Sequence, residues 1–411
     1  MIQTFVDWLV LGLRWAHIVA ILGWVGASLY FMWLDSKLRS PDPARENVLG
    51  EAWMGHGGGF YIVEKRRIAS GQVPSPVYWF RVEAGITWIT GFLLLVFIYY
   101  WTGGVDLVDA GNSTLSPGAA VGFAVALLPF AWIVYDRLWV SRLADNVALA
   151  TVVSLVLLFA CVYFMCALFT GRAAVIHIGA ILGTNMVANV WTRIVPAQEE
   201  AVAATKAGRE RNAVLATRAR RRAIHNTYLT LPVIFTMIAT HAPSTYGHPL
   251  NWLILSLLIV VGMAARHMMI LFDRRQPVGP GWFSAGAPLA ASLAALGLLS
   301  ITTNDLAQIT KHAVPFTVVR GIVDLRCGSC HSRKRPEKAN LGAPSSLSFD
   351  TNREIAAHAE KIKGSVLAQT MPPHNSTRMT NEERHLIARW VGHGENLDPA
   401  DLKRTAIPES E

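Results

Sequence analysis

The run Arg326-Cys327-Gly328-Ser329-Cys330-His331 holds the residues best suited to chemistry. Cys-x-x-Cys-His is the attachment signature of a c-type haem. The two thiols, three positions apart, reach the two vinyl groups of one porphyrin, and the adjoining imidazole lies on the iron's proximal side. A bare Cys-x-x-Cys also serves as a redox pair or half of a zinc site, but the chain has no second Cys pair downstream to complete four ligands. About forty residues on stands Met371-Pro372-Pro373, where a small c-type haem domain carries its distal methionine. His331 and Met371 are therefore the expected iron ligands, with Cys327 and Cys330 as covalent anchors. Met379 and His374 are weaker rivals for the sixth position. Met379 precedes Thr380-Asn381-Glu382-Glu383, a helix start. The prolines after Met371 forbid a helix and hold an extended segment against the haem face.

These residues need a carrier, and the composition says what kind. Of 411 residues 52% are hydrophobic and only 16% charged, with 14 Trp. That balance suits a polytopic membrane protein and not a soluble enzyme. A span needs about 20 apolar residues. Eight are expected, over 5–34, 82–101, 118–136, 148–170, 173–194, 226–242, 250–272 and 281–303. The sixth is short and contains Pro232, so it is kinked or packed inside the bundle. The first is no cleavable signal, since it lacks a basic n-region and is too long for an h-region. Cys161 and Cys166 lie in an apolar run as helix-packing thiols. The predicted fold is all-α: an eight-helix membrane bundle over 1–303, then a small soluble class I-like cytochrome c domain over 304–411. In that domain Pro315 to Leu325 is the helix leading into the haem motif, and Trp390 on a last helix, 380–392, packs in the core.

The net charge of +9 does not mark a nucleic-acid partner, because the excess lies in loops between apolar segments. Loops 35–81, 137–147, 193–225 and 273–280 hold 7, 2, 8 and 2 Lys or Arg. The alternate loops, 102–117, 171–172 and 243–249, hold Arg172 alone. This bias of 19 to 1 places both termini outside the cytoplasm. Bacteria attach haem c outside the cytoplasmic membrane, so the two signals agree. The basic stretch 206–222 reads as a solvated cytoplasmic helix.

Ionisable groups at membrane depth are costly and default to function. His17 lies mid-span in the first helix, one turn after Arg14, and His177 lies in the fifth. On that helix Asn185, Asn189 and Arg193 are four apart and form one stripe toward the cytoplasmic side. Arg266 and His267 sit near the inner end of the seventh span, and His225 and His241 bracket the sixth. Arg193, Arg266 and His225 could simply snorkel. Two imidazoles from different helices make a b-type haem site in a bundle, so His17 and His177 are candidate ligands of a membrane haem b, with His267 a third candidate. Hydrogen-bonded helix glue is the alternative for each. The inner loop 35–81 contains Trp53-Met54-Gly55-His56-Gly57-Gly58-Gly59-Phe60-Tyr61. Its glycines allow close backbone approach beside His56, but it has no phosphate-loop pattern.

The chain resembles the bacterial membrane-bound urate hydroxylases, in which an eight-span domain is fused to a cytochrome c. The matching stretches are Trp15-Ala16-His17-Ile18-Val19, the loop His56 to Tyr61, Trp79-Phe80-Arg81-Val82-Glu83-Ala84 leading into Thr87-Trp88, His225 to Pro232, and the C-terminal haem motif with Met371-Pro372-Pro373. The first helix also resembles that of membrane protoporphyrinogen oxidases, where the histidine corresponding to His17 binds haem. The main resemblance implies that urate is oxidised to 5-hydroxyisourate, that water supplies the hydroxyl, and that electrons leave through haem c to a downstream cytochrome c or terminal oxidase. Such a site needs partners for ureide groups, which Asn185, Asn189, Arg193 and Arg266 offer. It also needs a proton acceptor, for which His56, Glu64, Glu83 and His267 qualify by type. The alternatives are a non-catalytic electron-transfer subunit linking quinol or a partner dehydrogenase to an oxidase, and a transporter with a regulatory cytochrome. The sequence has no clear internal repeat that would favour the last.

Overall fold

Long apolar runs separated by short polar turns leave the backbone one way to satisfy itself in lipid, and the chain takes it by forming long helices. The computed structural model describes residues 2–68, 72–74, 76–108, 115–274, 279–309, 314–333, 347–367, 370–372 and 377–392, with backbone alone at 2, 3, 243, 244, 300–309 and 381. Helix α1 covers Ile2–Lys37 and α2 Arg81–Leu95, the latter prolonged by a π turn, Val96–Tyr100. Helices α3 (Pro117–Val140) and α4 (Val147–Leu168) are joined by a tight turn. Ser116 caps α3 with Pro117 in its first turn, and Asn146 caps α4. Helix α5 (Gly171–Asn189) runs through a second π turn, Val190–Ile194, into α6 (Val195–Lys206). Then come α7 (Ala213–Ala239), the single turn α8 (Pro243–Tyr246), α9 (Asn251–Asp273) and α10 (Pro280–Ile309).

Among the described residues seven helices are long and apolar enough to cross a bilayer. The expected sixth span, 226–242, is not among them: it falls on the second half of α7, whose first half carries Arg218, Arg220, Arg221 and Arg222. That half is too basic to count as a span, yet α7 packs on α5 and α9. Pro232 stays inside the helix, over Gly262 of α9, where a Cβ would lie 3.0 Å from the proline ring. His241 falls beyond the end of α7. The expected domain boundary near residue 304 falls inside α10.

The α5–α6 rod is the axis of the bundle: 67% of its apolar window is buried, against 28% or less in the other spans. Gly179 brings α7 against it, since a Cβ there would meet Thr236 Oγ1 at 2.1 Å. The outer faces carry bare apolar side chains, among them Phe5, Trp8, Trp15 and Leu22, all more than 65% exposed. Faces of this kind suit lipid and not water.

The all-α expectation needs one correction. Loop 35–81 contains an antiparallel hairpin, β1 (Val48–His56) paired with β2 (Gly59–Arg66) in the register Trp53↔Ile62 and His56↔Gly59. Gly57 and Gly58 form its two-residue turn with φ of +58° and +80°. Two consecutive positive φ values mark the tight turn whose twist matches paired strands, and glycine adopts them without strain.

The C-terminal segment has its own core. Helices α11 (Phe316–Arg326), α12 (Asn352–Ala357), α13 (Ala359–Leu367) and α14 (Asn381–Gly392) gather Val319, Val323, Ile355, Ile387 and Trp390 away from water. Trp390 packs on Phe316 with ring centroids 5.3 Å apart.

Candidate functional site

One buried polar network joins α3, α5 and α7 where α3 ends. Asp136, 4% exposed, lies one turn before the end of α3, next to Arg137. Burial of a carboxylate is tolerable only with charge and hydrogen-bond partners. Arg193 supplies a two-pronged pair, Nε to Oδ1 at 3.0 Å and Nη2 to Oδ2. Arg222 donates from Nη2 to Oδ1 at 2.7 Å and to the Asp136 carbonyl at 3.1 Å. Its guanidinium lies over the Tyr135 ring, 4.6 Å from the centroid. Arg222, 3% exposed, is therefore no part of a solvated helix, and Arg193 pairs inward instead of snorkelling.

Asn189, wholly buried, extends the network by donating to Tyr135 Oη at 3.1 Å and to Asn226 Oδ1 at 3.0 Å. Asn226 in turn donates to the Met186 carbonyl, 2.9 Å away. The Tyr135 hydroxyl and His225 Nδ1 are 2.6 Å apart, and Trp139 packs against the same imidazole at 4.2 Å. Of the expected stripe, Asn189 and Arg193 join this network, and Asn185 lies buried one turn before Asn189. The π turn after Asn189 inserts a residue before Arg193, which still reaches Asp136; π turns recur at functional positions.

This network is not self-sufficient. Two arginines face one aspartate, an excess of one positive charge. Asn185 Oδ1, Asn189 Oδ1 and Arg222 Nη1 are buried without a partner. Buried polar atoms are nearly always hydrogen-bonded, so orphans of both kinds, acceptor and donor, mark a place prepared for a polar ligand.

The other membrane candidates stand apart. His17 Nδ1 is 2.9 Å from Thr90 Oγ1, and its ring lies over Gly91, where a Cβ would be 2.9 Å away. His177 has both ring nitrogens engaged, Nδ1 with the Ala173 carbonyl at 2.7 Å and Nε2 with Tyr100 Oη at 2.9 Å. Neither nitrogen of His177 faces open space, and His17 is on a different helix pairing, α1 with α2. As placed, these residues do not fit a bis-imidazole haem b. Glu83 lies at the α1–α2 contact beside Gly23, with one buried oxygen unpaired. His267 Nδ1 is 2.5 Å from Tyr228 Oη. Cys161 and Cys166 are free, half-buried thiols.

The hairpin residues are removed from this network. His56 is exposed beside the turn. Glu64 is held by Arg66 and Arg45 at 2.6 Å each, and the hydrogen bond from Arg66 first, then Arg45, keeps its carboxyl below the usual range. Such a carboxylate is a poor proton acceptor.

The second place is a cleft in the C-terminal segment, with about 820 Å³ of empty space, open solvent at its mouth included. Cys327, Cys330, His331, Phe349, Met371 and Pro372 line it. His331 Nδ1 faces the Leu347 carbonyl at 3.2 Å, which fixes the ring and leaves Nε2 for the cleft. Arg384, on α14, holds the carbonyl of Met371 at 2.7 Å. Met379 is fully buried in the core and absent from the lining. His374 and Pro373 lie outside the described residues. Gly328 turns the chain where a Cβ would meet the Asp324 carbonyl at 2.7 Å. Burial pushes the Cys327 thiol up to about 12. Cys327, Cys330, His331 and Met371 all line this one cleft, and two thiols, an imidazole and a thioether are the donor set that a covalently anchored haem uses.

A family model described as urate oxidase N-terminal matches residues 3–297. The chain belongs to this family. The match takes in α1 to most of α10, and so every residue of the Asp136 network. It ascribes to the chain a urate-related oxidoreductase activity and stops before the cleft. No curated protein and no solved structure matches the chain.

Sequence reasoning missed Tyr135, Asp136, Arg222, His225 and Asn226 as site residues. A carboxylate near the end of a span was a signal for Asp136. His225-Asn226-Thr227-Tyr228 stood among the family-like stretches, without roles for its residues.

Proposed function

We propose that the protein is a membrane-bound urate hydroxylase whose substrate sits against the Asp136 network and whose electrons leave through a haem c in the C-terminal cleft. The observation that carries this reading is the set of orphaned buried atoms in a member of a urate oxidase family. Urate is a planar trione that presents N–H donors and C=O acceptors around its edge and is a monoanion at neutral pH. Asn185 Oδ1 and Asn189 Oδ1 accept from its N–H groups, Arg222 Nη1 donates to a carbonyl, and the surplus positive charge balances the anion.

The reaction balances as urate plus water giving 5-hydroxyisourate, two protons and two electrons. Loss of electrons leaves an electrophilic ring carbon for water to attack. The Tyr135–His225 pair offers a released proton a path: the hydroxyl relays it to Nδ1, and the imidazole hands it on without holding it, because burial and the Arg222 and Arg221 charges disfavour a further cation there. In this proposal His225 takes the proton role for which His56, Glu64, Glu83 and His267 were the expected candidates. A haem bound at Cys327, Cys330, His331 and Met371 supplies a one-electron acceptor. The downstream acceptor is a cytochrome c or terminal oxidase, and the protein sits in the bacterial inner membrane with both termini outside. A purely electron-carrying subunit would have no use for the orphaned Asn and Arg atoms.

The test is anaerobic addition of urate to the purified, oxidised protein. Haem absorption should shift to the reduced spectrum, with two haems reduced per urate when protein is in excess, and the product should carry oxygen from labelled water. Asn189→Leu should abolish the reduction while covalent haem stays. An unchanged haem spectrum on adding urate to intact protein would sink the reading.

A further inference from the structure

Arg266 is the most conspicuous unexplained charge in the bundle. It lies on α9, seven residues or about 10 Å before the end of that helix. It is 2% exposed. Its Nη2 points at Met32 Sδ of α1 at 2.9 Å, its Nη1 at Met269 Sδ at 4.0 Å, and its Nε has no partner. Thioethers are weak acceptors and carry no charge. Among the described residues no carboxylate pairs with it; Asp273, two turns on, pairs with Lys37 at 3.8 Å. Thr227 of α7 adds a hydroxyl 3.2 Å from the same Met32 sulfur. Tyr228 and His267 beside it are half-buried, and Met269 is 44% exposed, so the guanidinium lies one side chain below the surface. A buried guanidinium with no carboxylate in contact, and only the more distant Asp273 charge to favour it, is strongly disfavoured. The Asp136 network cannot relieve it, because that network already carries a positive surplus.

We propose that Arg266, Thr227 and Met32 form a second anion site, between α1, α7 and α9, for a monoanion that presents oxygen acceptors. Two sources have this chemistry. One is urate on its way to or from the Asp136 network, which rests on the function proposed above. The other is the phosphate of an anionic lipid headgroup, which does not.

The experiment uses the full chain and has two arms. In the first, urate binding is measured by equilibrium dialysis on protein kept reduced under argon, so that none is consumed. Two urates per chain are expected, falling to one in Arg266→Met and to one in Asn189→Leu. In the second, the melting temperature is compared in phosphatidylcholine discs with and without phosphatidylglycerol. A lipid occupant raises it by about 4 °C or more in the wild type and not in Arg266→Met. Met32→Glu supplies the missing carboxylate. It should raise the melting temperature without any anion and abolish the response to whichever anion the wild type binds, so the test survives if Arg266→Met fails to fold. Urate binding that is the same in Arg266→Met as in the wild type, together with no lipid response, overturns the anion site. Urate binding lost in Arg266→Met alone and intact in Asn189→Leu keeps the anion site and overturns the Asp136 network as the urate site. No urate binding in any variant overturns the urate function and leaves the lipid arm to decide the site.

Discussion

Asp136 is the residue on which the proposed substrate site turns, because it alone neutralises two arginines from two other helices. Removing its charge leaves the buried Arg222 guanidinium unpaired, along with Arg193, which is one-third exposed and adds little; loss of the buried pair costs about 3–5 kcal/mol. Asp136→Asn should therefore lower the melting temperature by roughly 10 °C. Adding Arg222→Met should recover part of that loss, since one orphan cation goes with it. A melting curve unchanged by Asp136→Asn would show that the pairing contributes nothing. In the cleft the two methionines separate cleanly. Met371→Ala should keep the haem covalent but alter its spin state and lower its potential, since a thioether ligand raises it. Met379→Ala should leave the spectrum alone and cost about 2–5 kcal/mol of stability as a core truncation. Reversal of those two phenotypes in absorption and melting experiments would exchange their roles. The cleft residues were legible in the sequence because Cys327, Cys330 and His331 are adjacent in it. The Asp136 network was not, because its members come from three helices, and Arg222 sits in a basic run that reads as solvated until Asp136 is seen beneath it.

At the scale of elements, the seven long helices could be read from apolar length, since backbone satisfaction in lipid leaves few choices. Two elements hid. The hairpin alternates weakly and is broken by glycines and charges, and its strongest sign, Gly57-Gly58 at a turn, reads as well as a flexible loop. Helix α7 hid because its basic first half masks the continuity of its backbone with the apolar second half. The position of α7 rests on Gly179. A methyl there would meet Thr236 Oγ1 at 2.1 Å, so Gly179→Ala must push α7 away from α5. Asn226 and Arg222 ride on α7, whereas Asn189 and Arg193 ride on the α5 rod. Gly179→Ala should thus cut urate-driven haem reduction while covalent haem content stays normal. Thr236→Ala removes the colliding oxygen, and the double variant should regain much of the activity. If Gly179→Ala reduces haem at the wild-type rate, the close approach of the two helices does not position the site.

For the whole molecule the question is how electrons travel. In the proposed topology, which follows the loop charge bias, the end of α3 and with it the Asp136 network lie on the cytoplasmic side, and the segment proposed to carry haem lies outside. The two are then separated by a layer about 30 Å thick. A haem b between His17 and His177 would divide that distance, but His177 has given both nitrogens to Ala173 and Tyr100. A haemochrome spectrum should accordingly show c-type haem alone, unchanged in His177→Ala. What does lie between is aromatic. Trp88 donates to Thr184 at 3.0 Å, five residues or about 7.5 Å along α5 from Asn189. Its ring is stacked on Phe92 at 5.4 Å. His177, with Tyr99 and Tyr100 around it, lies seven residues or about 10.5 Å beyond Thr184. A packed ring at Trp88 narrows the gaps through which an electron tunnels without itself being oxidised, since a c-type haem lacks the potential to oxidise an indole. Trp88→Leu should then slow the urate-driven reduction of haem in stopped-flow traces, leaving urate binding and the haem spectrum intact, and Trp88→Tyr should restore most of the rate. An unaltered rate in Trp88→Leu, with c-type haem alone in the spectrum, would place urate oxidation at the outer end, near the cleft, and remove Asn185, Asn189 and Arg193 from the reaction.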